Sequence, residues 1–254
     1  MLVKAAQVTV GYRTNKYHEV MHREYHGFFR SSVHHREIYR ETVVPTTITL
    51  AGTLEMKVDG DTTFTAAQVI AEKIILDAKG DITIKNGFNV YIYDEYQKSS
   101  SLFSVFSDGW ILGFGTRKGE LKGQSNKSVV PSIFMANNTF YGCSKGKIYI
   151  LGSIVDSKTE DIHLVAPKGV KLEAVAETGS SYHKTYKSGF GLRGGLSLKG
   201  GFISVGYCGN SQEIRQKIKV YTSACLNSLE GKTLIKADDG AFEMISSMIN
   251  AKML

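Results

Sequence analysis

Three prolines, three cysteines and one tryptophan are all that 254 residues hold of those types. Cys143, Cys208 and Cys225 cannot pair off into a disulfide framework, and their spacing matches no zinc motif. Each reads as an isolated, small, partly buried residue. No run of about 18 apolar residues occurs, which argues against a membrane-spanning helix. Met1 through Gln7 lacks the sustained apolar stretch of a signal peptide. What the chain does have is 26 glycines and 42% apolar residues, with Ser, Thr, Val and Ile common, a mixture that favours strands and turns. A net charge of +7 leans toward acidic surfaces such as sulfated or phosphorylated glycans, lipopolysaccharide or nucleic acid. The basic residues are scattered rather than clustered, so nucleic acid is not an expected partner.

The chain repeats itself at a period of roughly 86 to 93 residues. Val43-Val44-Pro45 recurs as Val129-Val130-Pro131, and at the same offset Gly60 falls on Gly146 and Val69 on Val155. A third copy sits 179 residues on, with Gly52 on Gly231, Lys57 on Lys236, Asp59 on Asp238 and Ile70 on Ile249. Inside one copy a shorter spacing of 20 residues relates Gly60-Asp61-Thr62-Thr63-Phe64 to Gly80-Asp81-Ile82-Thr83-Ile84. Leu54, Met56 and Val58 alternate with Glu55 and Lys57, and Ile82 and Ile84 with Thr83 and Lys85. Such alternation, broken by Gly-Asp, reads as short half-buried strands. Repetition about every 20 residues makes each strand group one turn of a parallel β-helix, with inward aliphatics and Gly-Asp at the corners. The corner glycines are expected to supply positive φ, the aspartates to bond nearby backbone.

Between the coil blocks lie flaps rich in Tyr, Ser, Lys and Gly at roughly 12–42, 93–128 and 180–219. In the third, Phe190, Leu192, Leu196 and Leu198 alternate with small or polar residues. After a turn at Gly200-Gly201 come Ile203, Val205 and Tyr207. This reads as a long amphipathic hairpin. A similar hairpin is expected over 102–115, turning at Ser107-Asp108-Gly109. There Trp110, with Phe106 and Phe114, would serve as an interfacial anchor, a glycan-stacking ring or a packing residue.

Gly60-Asp61, Ala67-Gln68-Val69 and Leu76 through Ile84 together resemble the haemagglutinin repeats of filamentous haemagglutinin-type exoproteins. The Tyr/Ser/Lys-rich tracts Tyr17 through Phe29, Tyr93 through Phe103 and Tyr182 through Gly191 are similar to the second repeat class of contact-dependent growth inhibition effectors. The resemblance implies a right-handed parallel β-helix and secretion through an outer-membrane partner transporter. It also implies a filament that adheres or delivers a toxin. Secretion domain, signal peptide and toxin module are absent from these residues, so the chain reads as an internal piece. The second copy looks eroded, with Asn137-Asn138 and Cys143 where aliphatic residues and corner glycines are expected.

Five of seven histidines, His18, His22, His26, His34 and His35, share one segment. Spacing of i, i+4, i+8 would gather three on a helix, but on a strand it separates neighbours by about 13 Å. The strand is expected, leaving a cross-strand pair such as His26 with His34 as the route to a metal. Gly189-Phe190-Gly191-Leu192-Arg193-Gly194 matches G-x-G-x-x-G, yet alternation rather than a helix follows it, so no nucleotide site is expected. Asp59, Asp61, Asp81, Asp238 and Asp239 invite a glycosidase or lyase reading, which needs two carboxylates facing each other at about 5–9 Å. Their recurrence at equivalent corners favours turn chemistry.

The expectation is an all-β solenoid with protruding hairpins, divided into 1–42, 43–128, 129–219 and a partial unit 220–254. No catalytic, cofactor-binding or metal-ligating residue is expected. The chain would be a non-enzymatic stalk segment, secreted or at the cell surface, touching a target-cell glycan, lipopolysaccharide or membrane. Its contact hairpin would be Phe190, Leu192, Leu196, Leu198, Ile203, Val205 and Tyr207, either packed on the flank of the helix or free to insert in a membrane as a translocation module. A β-helical polysaccharide-degrading enzyme is the remaining alternative. Uncapped ends would make the chain self-associate.

Overall fold

The computed structural model describes residues 1–104, 112–197 and 200–252. Trp110, Phe106, the turn expected at Ser107-Asp108-Gly109, Leu198 and Lys199 lie outside them. The described chain winds as a parallel β-helix of six coils with three faces. Coil 1 holds β1 (Leu2–Ala5) and β2 (Val8–Val10), leaves along β3 (Tyr12–His26) and returns along β4 (Arg30–Thr49), whose last residues form its third side. Coil 2 is β5 (Thr53–Val58), β6 (Thr62–Thr65) and β7 (Ala67–Ala71). Coil 3 is β8 (Lys73–Ala78) and β9 (Ile82–Lys85), then the hairpin of β10 (Gly87–Ser104) and β11 (Leu112–Val130), then β12 (Ile133–Ala136). Coil 4 is β13 (Phe140–Ser144), β14 (Ile148–Leu151) and β15 (Ile154–Ser157). Coil 5 is β16 (Ile162–Val165) and β17 (Gly169–Glu173), the hairpin of β18 (Val175–Ser197) and β19 (Gly200–Thr222), and β20 (Cys225–Ser228). Coil 6 is β21 (Thr233–Lys236), β22 (Ala241–Ile245) and β23 (Met248–Ala251).

Residues one coil apart stack in parallel register. Leu54 lies on Ile74, then Phe140, then Ile162, and Phe64 on Ile84, Ile150 and Leu172. These columns are fully buried, so alternation within a strand delivers every second side chain to one dry core. Phe64, Phe134 and Phe140 meet edge to face at 4.9 and 5.8 Å between centroids and fill the middle of the stack. The 86-residue period is therefore two coils plus one hairpin, since Val69 stacks on Phe134 and Phe134 on Val155. In the third copy Lys57 and Lys236 share one column at the expected offset, but the third face slips by one residue: Ile249 completes the Val69 column through Leu226, whereas Ile70 aligns with Asn250. Cys143 is not a defect in the core. It points outward, half-buried, and its neighbour Gly142 takes the inward place between Leu76 and Leu164. All three cysteines are free and half-buried.

Two corners behave differently from expectation. Gly60, Gly80 and Gly146 do not adopt positive φ. They are glycine because coils approach closely there: a Cβ on Gly60 would lie 2.7 Å from the Ala6 carbonyl oxygen, and one on Gly80 2.7 Å from the Gly60 carbonyl carbon. At that corner Gly169 of coil 5 does take a positive φ, +124°, as expected. Where the second face meets the third, positive φ occurs at Ala66, Gly152 and Ser246. These belong to coils 2, 4 and 6, which close directly. Coils 1, 3 and 5 pass the same corner through Gly11, Asn86 and Ala174, which are not left-handed, and there the chain runs out into a hairpin. A left-handed residue turns the backbone sharply enough to stay on the coil; without it the strand continues outward.

The hairpins are also longer than their composition suggests, because Gly87-Phe88-Asn89-Val90-Tyr91-Ile92 reads like coil yet already pairs with β11. Nor do they jut out singly. β3, β4, β10, β11, β18 and β19 pair in that order into one antiparallel wall. In the last hairpin Gly200 and Gly201, expected as the turn, belong to β19 and pair with Ser197 and Leu196.

Phe134→Ala should cost about 3–5 kcal/mol, because it empties the centre of the aromatic stack. Urea unfolding of the full chain checks this against Phe190→Ala, which lies on the wall and should cost far less.

Candidate contact surface on the hairpin wall

The wall is built from rows of paired residues, and alternate rows face opposite sides. On one face Tyr93, Glu95, His34 and Gln97 form a network: the Tyr93 hydroxyl donates to Glu95 at 2.6 Å, with His34 Nε2 at 2.7 Å and the Gln97 amide at 3.3 Å. Only 14% of the Glu95 side chain is exposed. The bonds from Tyr93 first, then His34, pull its carboxyl down to about 2, and the same bond pushes Tyr93 up to about 12. Glu19 joins this face, bonded by Arg36 at 2.6 Å and by Tyr17, and Glu120 bonds Lys122 and His183, each at 2.9 Å.

The opposite face is lined by rings. Tyr182 and Tyr186 on β18 lie across Gly123 and Gly119 of β11, where any side chain would collide with them. Tyr182 crosses its glycine and donates to Asp94 of β10 at 3.3 Å. A Gly-x-x-x-Gly strand facing Tyr-x-x-x-Tyr is thus a seam that locks the second hairpin to the third. Composition does not reveal it, although the matched four-residue spacing is present in the sequence. On this face also, His22 stands directly opposite His35, and His35 stacks on Tyr96 at 5.1 Å. The cross-strand pair His26 with His34, named as a route to a metal, does not form. His26 pairs with Ser31 and His34 with Arg23, one row parity apart, so the two point to opposite sides. Among the described residues, no group of three or more His, Cys, Asp or Glu side chains could hold a metal.

At the far margin the wall turns apolar. Phe103, Phe114, Phe190 and Tyr207 occupy one row across four strands, and Leu192 pairs with Val205 on the same side. Phe190 and Tyr207 meet at 5.7 Å, and Phe28, Phe29 and Phe103 gather at the same level on the first two hairpins. The stripe is not packed on the helix flank: Phe190 is 57% exposed, Ile203 82%, Val205 68% and Tyr207 65%. Leu196 sits opposite Gly201 in the same hairpin.

The acidic corners are tied into the backbone. Asp61 Oδ1 accepts from the Asp81 amide at 2.8 Å and Asp81 Oδ1 from the Lys147 amide at 2.7 Å. Asp161 Oδ1 does the same for Lys232 at 2.7 Å. Asp59 is paired with Lys79 at 2.6 Å and Asp238 with Lys236 at 3.2 Å. Each stitches one coil to the next or to its own strand, which is a structural use of a carboxylate.

Residues 6–100, spanning most of the first three coils and the outgoing strand of the second hairpin, match the family model described as Hemagglutinin repeat. This stretch is a filamentous haemagglutinin-type repeat. Neither the curated proteins nor the solved structures contain a match to the chain.

Because the Glu95 carboxyl lies below its unfolded value, the stability it contributes is complete above about pH 4.3 and is lost as the pH falls toward about 2. Glu95→Gln should flatten this acid limb of the stability profile, measured by urea unfolding at stepped pH.

Proposed function

We propose that this chain, a filamentous haemagglutinin-type repeat over residues 6–100, is a non-enzymatic β-helical stalk segment of a secreted, surface-exposed adhesin or contact-dependent toxin-delivery protein. An outer-membrane partner transporter would export it, by family resemblance. The working unit is two coils and a hairpin, with breaks near residues 43, 129 and 220. The helix sets the spacing and the wall makes the contact, with a target-cell glycan, lipopolysaccharide or membrane as the surface met.

The observation that carries this reading is the exposed distal margin, where Phe28, Phe29, Phe103, Phe190, Ile203, Val205 and Tyr207 are turned to solvent. A contiguous apolar rim on an otherwise polar sheet marks a contact site. The enzymatic alternative has less support, since four of the corner carboxylates that suggested it, Asp59, Asp61, Asp81 and Asp238, are spent on backbone amides and lysines.

The second reading, a membrane-inserting translocation module, draws on the same margin. The charged rows nearer the helix, with Glu19, Glu95 and Glu120 on one face and Lys184 with Glu213 on the other, confine hydrocarbon contact to the rows from Phe190 outward. That depth suits an interfacial dip better than a full crossing, which takes about 9–11 residues per strand.

Co-sedimentation with bacterial outer-membrane vesicles tests the contact surface. The intact chain should pellet with the vesicles, and Val205→Asp with Tyr207→Asp should abolish this. Equal pelleting of the double variant would remove the margin from the proposal. Flotation on protein-free liposomes, lost in the same variant, would favour the membrane reading over a receptor.

Coil 6 exposes Phe242 and Met244 at 45% each, the positions that continue the buried columns of Val170 and Leu172. Light scattering should therefore show mass rising with concentration, and Phe242→Lys with Met244→Lys should return the chain toward monomer.

A further inference from the structure

We propose that His22 and His35 form a divalent-metal site of zinc type on the ring-lined face of the wall. The two residues are direct cross-strand partners, on β3 and β4, and their Nδ1 atoms stand 3.4 Å apart. Two imidazole nitrogens held at about 2.0–2.1 Å from one zinc ion with tetrahedral angles are separated by about 3.3–3.4 Å. Square-planar coordination by the same two groups would need about 2.9 Å, so the pair is spaced for a tetrahedral ion.

The surroundings fix which atoms face the ion. Glu24 accepts from His22 Nε2 at 2.9 Å, so that nitrogen carries the proton and Nδ1 keeps its lone pair. The same carboxylate also takes His26 Nε2 at 3.3 Å, which holds it in place. A carboxylate on the far nitrogen of a ligand imidazole is the usual support of a metal-binding histidine. His35 is oriented by its stack on Tyr96, at 5.1 Å and 21° between ring planes. Without metal, a proton on one Nδ1 bridges the two rings. On binding, the ion takes that place and His35 carries its proton on Nε2, so the neutral pair changes tautomer without releasing a proton.

The rest of the coordination sphere would be water, since the protein supplies two nitrogens and the rings are open to solvent on the His22 side, 46% exposed. Glu24 and Glu37 add negative charge on the same face from the rows on either side. The site bridges β3 to β4, so the ion would tie the outermost strand of the wall to its neighbour.

The test is titration of the full chain with zinc chloride by calorimetry, followed by cobalt substitution read by visible absorption. One ion should bind per chain, with the strong absorption of tetrahedral cobalt. His22→Gln and His35→Gln should each weaken zinc by more than tenfold, and Glu24→Gln by about tenfold or more. His34→Gln, on the opposite face, should leave it unchanged. Circular dichroism should show the same strand content in every variant, so a lost site is separable from a lost fold. Absence of binding, affinity in His22→Gln or His35→Gln equal to that of the unsubstituted chain, or octahedral cobalt spectra would each overturn the proposal.

Discussion

Hydrogen-bonded strands lie about 4.8 Å apart whether parallel or antiparallel, and this one spacing organises the molecule. A coil advances the helix by one strand width. A hairpin, being two strands, occupies two widths, about 9.6 Å. Hairpins emitted from coils 1, 3 and 5 therefore abut edge to edge with neither gap nor overlap, and the wall β3-β4-β10-β11-β18-β19 grows in step with the stack beside it. A hairpin on every coil would collide with the next, and one on every third would leave edges unpaired. The long sequence period follows from this match.

Stability and specificity are divided between the two bodies. The helix is held by buried columns such as Leu54, Ile74, Phe140 and Ile162, where burial of aliphatic surface dominates. Among its described residues the wall has almost no buried apolar side chain. Backbone ladders hold it, with cross-strand devices that act pair by pair: Tyr182 and Tyr186 over glycines, the Glu95 cluster, and the Glu19 and Glu120 clusters. Side chains in the wall are consequently free to vary wherever they are not one of these devices, and it is there that a contact surface can be tuned without disturbing the core.

Much of the helix was legible in the sequence because its code is local. Alternation at Leu54-Glu55-Met56-Lys57-Val58 reports burial directly, and Gly60-Asp61 against Gly80-Asp81 reports the coil. The corner aspartates behave as turn chemistry requires. What escaped is non-local. That Gly80 is glycine for contact with the coil below, rather than for its own φ, is visible only once the coils are stacked. The joining of three hairpins depends on strand width, which no composition records. The pairing of His22 with His35 instead of His26 with His34 follows from a register set at the Gly27 turn, and a shift of one residue would have exchanged the faces.

The wall also frees the reach of the molecule from its architecture. The first hairpin reverses near Phe28, level with Phe103, whereas the second and third continue past that row. Adding or removing facing residues near a tip, in twos, would preserve every coil, every corner and the parity of every row beneath. Tip height is thus an independently adjustable dimension, and a descendant of this chain could present a level, stepped or sloping crest to whatever it meets while its spine stays the same.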